Sequence, residues 1–181
     1  MKRILVTLIL AIVIAGPVRA DEEEPAPMAG VMFDPIGSAL GLATGIFNVS
    51  IEIQVAIGDH IGLSVTPMFA AYLFDDAKVY GGGLELGPRI LVTGNKLAGV
   101  YIYPLVSFAW ATGSRESTGE TVSGGGILAG MEIGYTWAWE SGFMLSLGGG
   151  VGYMKFVGNI GGRTPDPQIL PRFRLCFGYG W

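Results

Sequence analysis

The chain lacks most of what a soluble enzyme relies on. It has one cysteine, one histidine and only 14% charged residues in 181, where an average soluble domain is about a quarter charged. A single cysteine, Cys176, excludes an internal disulfide, so packing and hydrogen bonds must hold the chain. Cys176 reads as a small buried apolar side chain rather than a reactive thiol. Basic residues are scarce as well, and this weighs against a nucleic-acid partner. Loss of the leader described below removes Lys2, Arg3 and Arg19, leaving eight bases against fifteen acids, a net charge of −7.

What is plentiful is apolar surface and glycine. Half the residues are hydrophobic, mean hydropathy is +0.50 and there are 30 glycines. Glycine without a G-X-Y period excludes collagen, and about 1 kcal/mol per interior glycine argues against a helical bundle. What remains is a β membrane protein. The N-terminus reads as an export signal. Lys2 and Arg3 precede the apolar run 4–14, Gly16-Pro17 breaks it, and Val18-Arg19-Ala20 forms a small-residue cleavage site. The run is short of the ~20 residues of a spanning anchor. The chain therefore divides into a cleaved signal peptide at 1–20, an acidic linker at 21–29 and a barrel at 30–181.

From residue 30 the apolar residues alternate with period 2. Phe47, Val49, Ile51, Ile53, Val55 and Ile57 share one face, opposite Asn48, Ser50, Glu52, Gln54 and Ala56. The pattern recurs at 61–71, 79–93, 97–111, 127–137, 143–153 and 173–181. In 97–111 both faces are apolar; Val100, Ile102, Val106, Phe108 and Trp110 are placed outward, and Tyr101, Tyr103 and Ser107 inward. These are seven strands of about 11 to 15 residues, longer than globular strands and long enough to cross a bilayer. Short turns at 58–60, 94–96 and 139–141 alternate with longer connections at 73–78, 113–123 and 157–168. That is the plan of an outer-membrane barrel. Even parity requires an eighth strand, and 30–38 supplies it, shortened or bulged by Pro35 and Gly37, with 39–45 as the return. The fold class is all-β: an eight-stranded antiparallel transmembrane barrel with up-and-down meander topology. A helical membrane protein is disfavoured because Glu52, Glu85 and Glu132 keep to one alternating face. A soluble β-sandwich would need shorter strands and less aromatic outer faces.

The two faces carry different chemistry. Aromatics cluster toward outward strand ends, with Trp110, Tyr135, Trp137 and Tyr153 as the expected girdle at the membrane interfaces. The inward faces are small or polar. Glu52, Glu85, Arg89, Glu132, Arg172 and Arg174 all fall about five to nine residues from the turn end, so three acids and three arginines should meet at mid-depth. Buried charges persist when paired, and arginine offers a fork that fits carboxylates. The expectation is a neutral network that closes the lumen; a gate or proton path is the rival reading. No enzyme is expected. His60 sits in a turn on the side away from the long connections, and the glycine runs 81–83 and 148–150 lack the lysine and helix of a phosphate loop. Neither a cofactor nor a metal is expected; the loop acids Asp75, Asp76, Glu116, Glu120 and Asp166 read as solvated, with divalent-cation binding as the alternative.

The last strand, with Phe173, Leu175, Phe177, Tyr179 and the terminal Trp181 on one face, resembles the C-terminal signal read by the barrel-assembly machinery of Gram-negative outer-membrane proteins. Across 30–181 the chain resembles the small eight-stranded group that includes the OmpA barrel domain, OmpX and OmpW. Phe33-Asp34-Pro35-Ile36, Phe47-Asn48-Val49-Ser50-Ile51-Glu52 and Gly58-Asp59-His60 resemble a family of small barrels without an assigned role. The resemblance implies residence in the cell outer membrane. The implied partners are outer-membrane lipid, lipopolysaccharide and, during biogenesis, the assembly machinery, with the barrel a monomer. It also implies a structural or surface-interaction role without an appended peptidoglycan-binding domain. The alternative it offers is a narrow channel for small hydrophobic molecules or ions, as in OmpW-like proteins.

Overall fold

The computed structural model of the chain describes residues 26–35, 46–74, 77–115, 119, 121–159 and 166–181. The signal peptide, most of the acidic linker and the return segment 39–45 lie outside the described residues. Eight antiparallel strands form one closed barrel, each bonded to its neighbours in chain order: β1 (Ala29–Phe33), β2 (Ile46–Ala56), β3 (Ile61–Phe74), β4 (Ala77–Leu91), β5 (Gly99–Arg115), β6 (Thr121–Ala138), β7 (Phe143–Asn159) and β8 (Gln168–Gly180). Closure leaves no edge, which an apolar solvent requires because it offers the backbone no partners.

Strand faces follow the alternation. Ile51, Ile53 and Val55 are 43–47% exposed, while Glu52 and Gln54 between them are 2% and 0% exposed. The register of β5 is the one placed from sequence: Tyr101, Tyr103 and Ser107 are buried, and Val106, Phe108 and Trp110 are exposed. The molecule is thus inverted relative to a soluble sandwich. Its aliphatic face points out, and its carboxylates and guanidiniums point in. Outward aromatics form two rows. Tyr135, Trp137, Trp139, Phe143, Tyr179 and Trp181 cluster at the turn end on the β6–β8 side, while Phe47, Phe69, Tyr80, Phe108, Trp110 and Tyr153 lie about ten residues from the turn ends of their own strands. At ~3.3 Å per residue and a tilt near 40°, the rows stand about 25 Å apart, the height of the apolar band of such barrels.

Several boundaries differ from expectation, the connection expected at 157–168 among them, since β7 runs to Asn159. The first strand is five residues, Ala29–Phe33, rather than 30–38. The strands run into the connection expected at 73–78, since Leu73 pairs with Lys78 and Phe74 with Ala77. The loop expected at 113–123 shrinks to 116–120, because Thr112 pairs with Ser123 and Ser114 with Thr121. The cause is common to both loops. At the loop end the outward face of the described strands turns polar as well, as at Thr112, Ser114, Thr121 and Ser123, so the alternation stops while the backbone ladder continues.

The turn-end half of the lumen is packed solid. Met32, Ala56, Leu97, Met144 and Cys176 form an apolar floor. Leu97 reaches it from the 92–98 turn, which the Lys96 amide ties to the Asp59 carbonyl at 2.6 Å. β8 closes on β1 through Gly30–Gly180 to Phe33–Phe177. Trp181 joins the seam as well: its amide donates to the Ala29 carbonyl at 2.9 Å, and its carbonyl accepts from the Met28 and Ala29 amides. At the seam, a side chain on Gly178 would run into the Val31 carbonyl. Gly178→Val is therefore expected to lower folding stability by about 1–3 kcal/mol through overpacking, read as the urea midpoint of the compact band on unboiled gels. Gly58→Ala, where a methyl meets open space, should leave that midpoint in place.

Candidate functional site

The charged residues enter the lumen from alternate strands: Glu52 from β2, Glu85 and Arg89 from β4, Glu132 from β6, and Arg172 and Arg174 from β8. The strands between supply room. Gly150 stands between Glu132 and Arg172 in the cross-strand row, and Gly148 stands beside Arg174. With no side chain at those two positions, the arginines of β8 can swing across β7.

Arg174 is the hub. Its Nη1 donates to Glu52 Oε2 at 2.6 Å, its Nη2 to Glu85 Oε1 at 2.6 Å and its Nε to Glu132 Oε2 at 2.8 Å. Each nitrogen of one guanidinium holds a different carboxylate. Arg172 repeats the bridge from above, with Nη2 on Glu85 Oε2 and Nε on Glu132 Oε1, both at 2.6 Å. Glu85 and Glu132 are therefore each shared by two arginines. A sixth hydrogen bond comes from Ser64 Oγ on β3, which donates to Glu52 Oε1 at 2.6 Å. The three carboxylates are almost fully buried, and the Arg172 side chain is 20% exposed. Charge-assisted bonds of this length are the strong ones, and burial strengthens them further.

Arg89 is held to this core by one long ion pair, to Glu52. It lies below the cluster, with Nη1 3.8 Å from Glu52 Oε1, too long for a hydrogen bond. Its Nη2 donates instead to Ser146 Oγ at 3.0 Å. Its guanidinium lies 3.7 Å from the centroid of the Tyr101 ring, a cation–π stack. Arg174 makes a longer contact of the same kind with Tyr103, at 5.0 Å. The Tyr101 hydroxyl accepts from Ser146 Oγ at 3.3 Å, and Thr136 Oγ1 donates to the same Ser146 oxygen at 3.1 Å. The site thus has two decks. Three carboxylates and two arginines form the upper one; Arg89, two tyrosines, Ser146 and Thr136 form the lower. The lower deck was not singled out from sequence beyond Arg89. Its signal was the inward parity of Tyr101 and Tyr103 on a strand apolar on both faces, opposite the glycines that receive them. Tyr101 overlies Gly134 and Gly148, and Tyr103 overlies Gly87.

The upper deck borders a cavity of about 70 Å³, lined by Asp34, Ser50, Met68, Cys176, both arginines of β8 and the three glutamates among others. The remaining singled-out residues lie elsewhere. Trp110 and Tyr153 are well exposed on the outer wall; Tyr135 and Trp137, partly exposed there, pack on each other at 4.6 Å. Phe173, Leu175, Phe177, Tyr179 and Trp181 share the outer face of β8. His60 is exposed in the 57–60 turn. Of the loop acids, Asp166 is exposed, and Asp75, Asp76, Glu116 and Glu120 lie outside the described residues.

No family model matches the chain, and no curated protein does. Among solved structures, Ail, the attachment invasion locus protein of Yersinia pestis, matches with a TM-score of 0.49 and 12% identity, over 84% of this chain and 95% of that one.

Because Glu132 balances two arginines at once, its neutral isostere should leave the hub over-charged. Glu132→Gln is expected to destabilise the folded barrel by about 3–5 kcal/mol, the usual consequence of removing one partner from a buried ion network. Glu132→Gln with Arg172→Gln restores neutrality and should recover part of the loss. Urea unfolding in lipid vesicles, followed by tryptophan emission, reads both; equal stability of wild type and Glu132→Gln would remove the network as a structural element.

Proposed function

We propose that this chain is an outer-membrane barrel whose lumen is closed to solutes at mid-depth and whose role is structural or in surface interaction. One observation carries the reading: the strongest polar groups in the molecule point inward and neutralise one another across the bore, while the outer wall is aliphatic between two aromatic rows. Eight strands leave an interior that side chains can fill. Here Arg174 spans it, touching β2, β4 and β6 from β8.

The inverted faces support residence in a bilayer, with 1–20 acting as the export signal. The connection at 160–167 and those at 34–45 and 116–120 share one end of the barrel, which this reading sets outside the cell. The turns at 57–60, 92–98 and 139–142 then face the periplasm. Contacts with a surface partner would fall to the outer set. Phe173, Leu175, Phe177, Tyr179 and Trp181 serve as the segment recognised during assembly, on the strand that completes the seam. A narrow channel, the rival reading, would have to pass both decks, and the apolar floor of Leu97, Met32 and Met144 lies beneath them.

Two measurements test the reading. In the outer-membrane fraction, the protein should migrate as a compact band unboiled and shift on boiling; absence of a shift sinks the barrel itself. In planar bilayers the refolded protein should give no stepwise conductance. Sustained single-channel openings would replace the closed lumen with the channel reading.

A further inference from the structure

The outer wall differs between its two sides. A cross-strand row followed from Val31 runs through Ile53, Val65, Leu86, Val106, Ala129 and Tyr153 to Ile169. Val31 itself pairs with Tyr179, ten residues further along β8. The row therefore climbs toward the loop end by just over one residue per strand, the shear of the barrel. The ladder reaches past two strand ends: the Ile57 amide donates to the Ile61 carbonyl and the Val92 amide to the Val100 carbonyl, both at 2.8 Å. With the climb removed, Ile57, Ile61 and Val92 stand within about two residues of the height of Trp137, Phe143 and Tyr179.

That one height carries two chemistries. On β6–β8 it is aromatic, and the rings support one another: Trp139 and Phe143 lie 5.2 Å apart, Tyr179 and Trp181 6.4 Å. On the β2–β4 side it is aliphatic. Ile57 is 70% exposed and Val92 59%, and this edge continues the exposed Leu63 and Ile90 without a break. It stops directly at the exposed turn Gly58-Asp59-His60. The loop end shows the opposite offset. Val157 of β7 and Ile169 of β8 are exposed and stand about three residues nearer the loop end than Phe47 of β2 and Phe69 of β3, with Tyr80 of β4 between them. Lys155 lies within this stretch and can carry its ammonium toward the loop end along the wall.

Indole and phenol rings settle at headgroup level, whereas bare aliphatic side chains belong in the acyl layer. An upright barrel would set Ile57 and Val92 among headgroups; a leaning one satisfies both ends at once. We propose that the barrel lies obliquely in the bilayer, with the turn end of β2–β4 drawn into the acyl layer and that of β6–β8 held at the headgroups by its aromatic patch. Three residues at ~3.3 Å each and a strand tilt near 40° make the offset about 8 Å across the barrel. The inference rests on the bilayer reading above, and the test separates the two.

The full chain is refolded into phosphatidylethanolamine–phosphatidylglycerol vesicles and scored for the gel shift on boiling. A nitroxide is attached after folding to one of Ile57→Cys, Val92→Cys, Phe143→Cys or Tyr179→Cys; Cys176, 2% exposed, stays in place. Labels at 57 and 92 should be relaxed mainly by oxygen and those at 143 and 179 by a water-soluble nickel chelate, with depths about 8 Å apart. Ile57→Trp with Val92→Trp should narrow the difference read at Ile61→Cys and Phe143→Cys. Equal depths in folded chains, or a difference that the two tryptophans leave unchanged, overturn the oblique seat and leave the barrel reading standing. Labels at 57 and 92 that neither reagent reaches overturn it too, in favour of a protein covering that edge. A chain that shows no gel shift and does not enter vesicles overturns both readings.

Discussion

Three carboxylates and three arginines, Arg89 from just below the other two, share one closed space in the middle of the barrel, and the geometry around them follows from keeping that space neutral. Removing an ion from water costs several kcal/mol even after relaxation. Arg174 offsets this by giving each of its nitrogens a separate carboxylate, and Arg172 by sharing two of them. The net gain in stability over a well-packed apolar core is small by the same reasoning. The larger consequence is register. Side chains alternate between faces, so a one-residue slip of β2, β4, β6 or β8 would turn a glutamate or an arginine into lipid. The network therefore fixes four strands at once, and the odd-numbered strands between them are held by pairing on both sides.

That division explains where the glycines went. On β7, Gly148 and Gly150 clear the path of Arg174 and Arg172; on β4 and β6, Gly87 and Gly134 receive the rings of Tyr103 and Tyr101. These positions are empty because a neighbour fills them. Gly125 differs, because it faces outward and its emptiness is left as a groove. Gly178 differs again, since it lets β1 and β8 approach at the only place where the first and last strands meet. One residue type thus serves lumen filling, wall shape and closure, and its abundance in the composition does not distinguish them.

Strand identity and facing were legible because a barrel wall with an aliphatic outer face and a polar lumen writes a period of 2 with a strong contrast between its phases. Glu52, Glu85, Glu132, Arg172 and Arg174 could be brought together from their shared parity and similar distance from the turns. Arg89 satisfied the same arithmetic yet fell into the deck below. The arithmetic measures depth along a strand, whereas contact also depends on the shear between strands and on what already occupies the carboxylates. Tyr101 and Tyr103 were placed inward, but their contacts escaped for a related reason: a ring inside a barrel is interpretable only with the glycines it covers, and those on β4 and β6 appear when the register of β5 against both neighbours is known. Strand ends were the weakest part. Beyond the lipid the physics that writes the alternation is gone, and Ser114 with Thr121 continues a ladder that their polarity alone would assign to a loop.

The scarcity of charge also sorts by depth. Three acids and three arginines, Arg89 included, cancel inside, and the described outer wall bears only Lys78 and Lys155. Among the described residues, no charged side chain faces outward between the two aromatic rows, so the low charge count is a matter of placement: each ion of the spanning strands is either paired in the lumen or set beyond the apolar band.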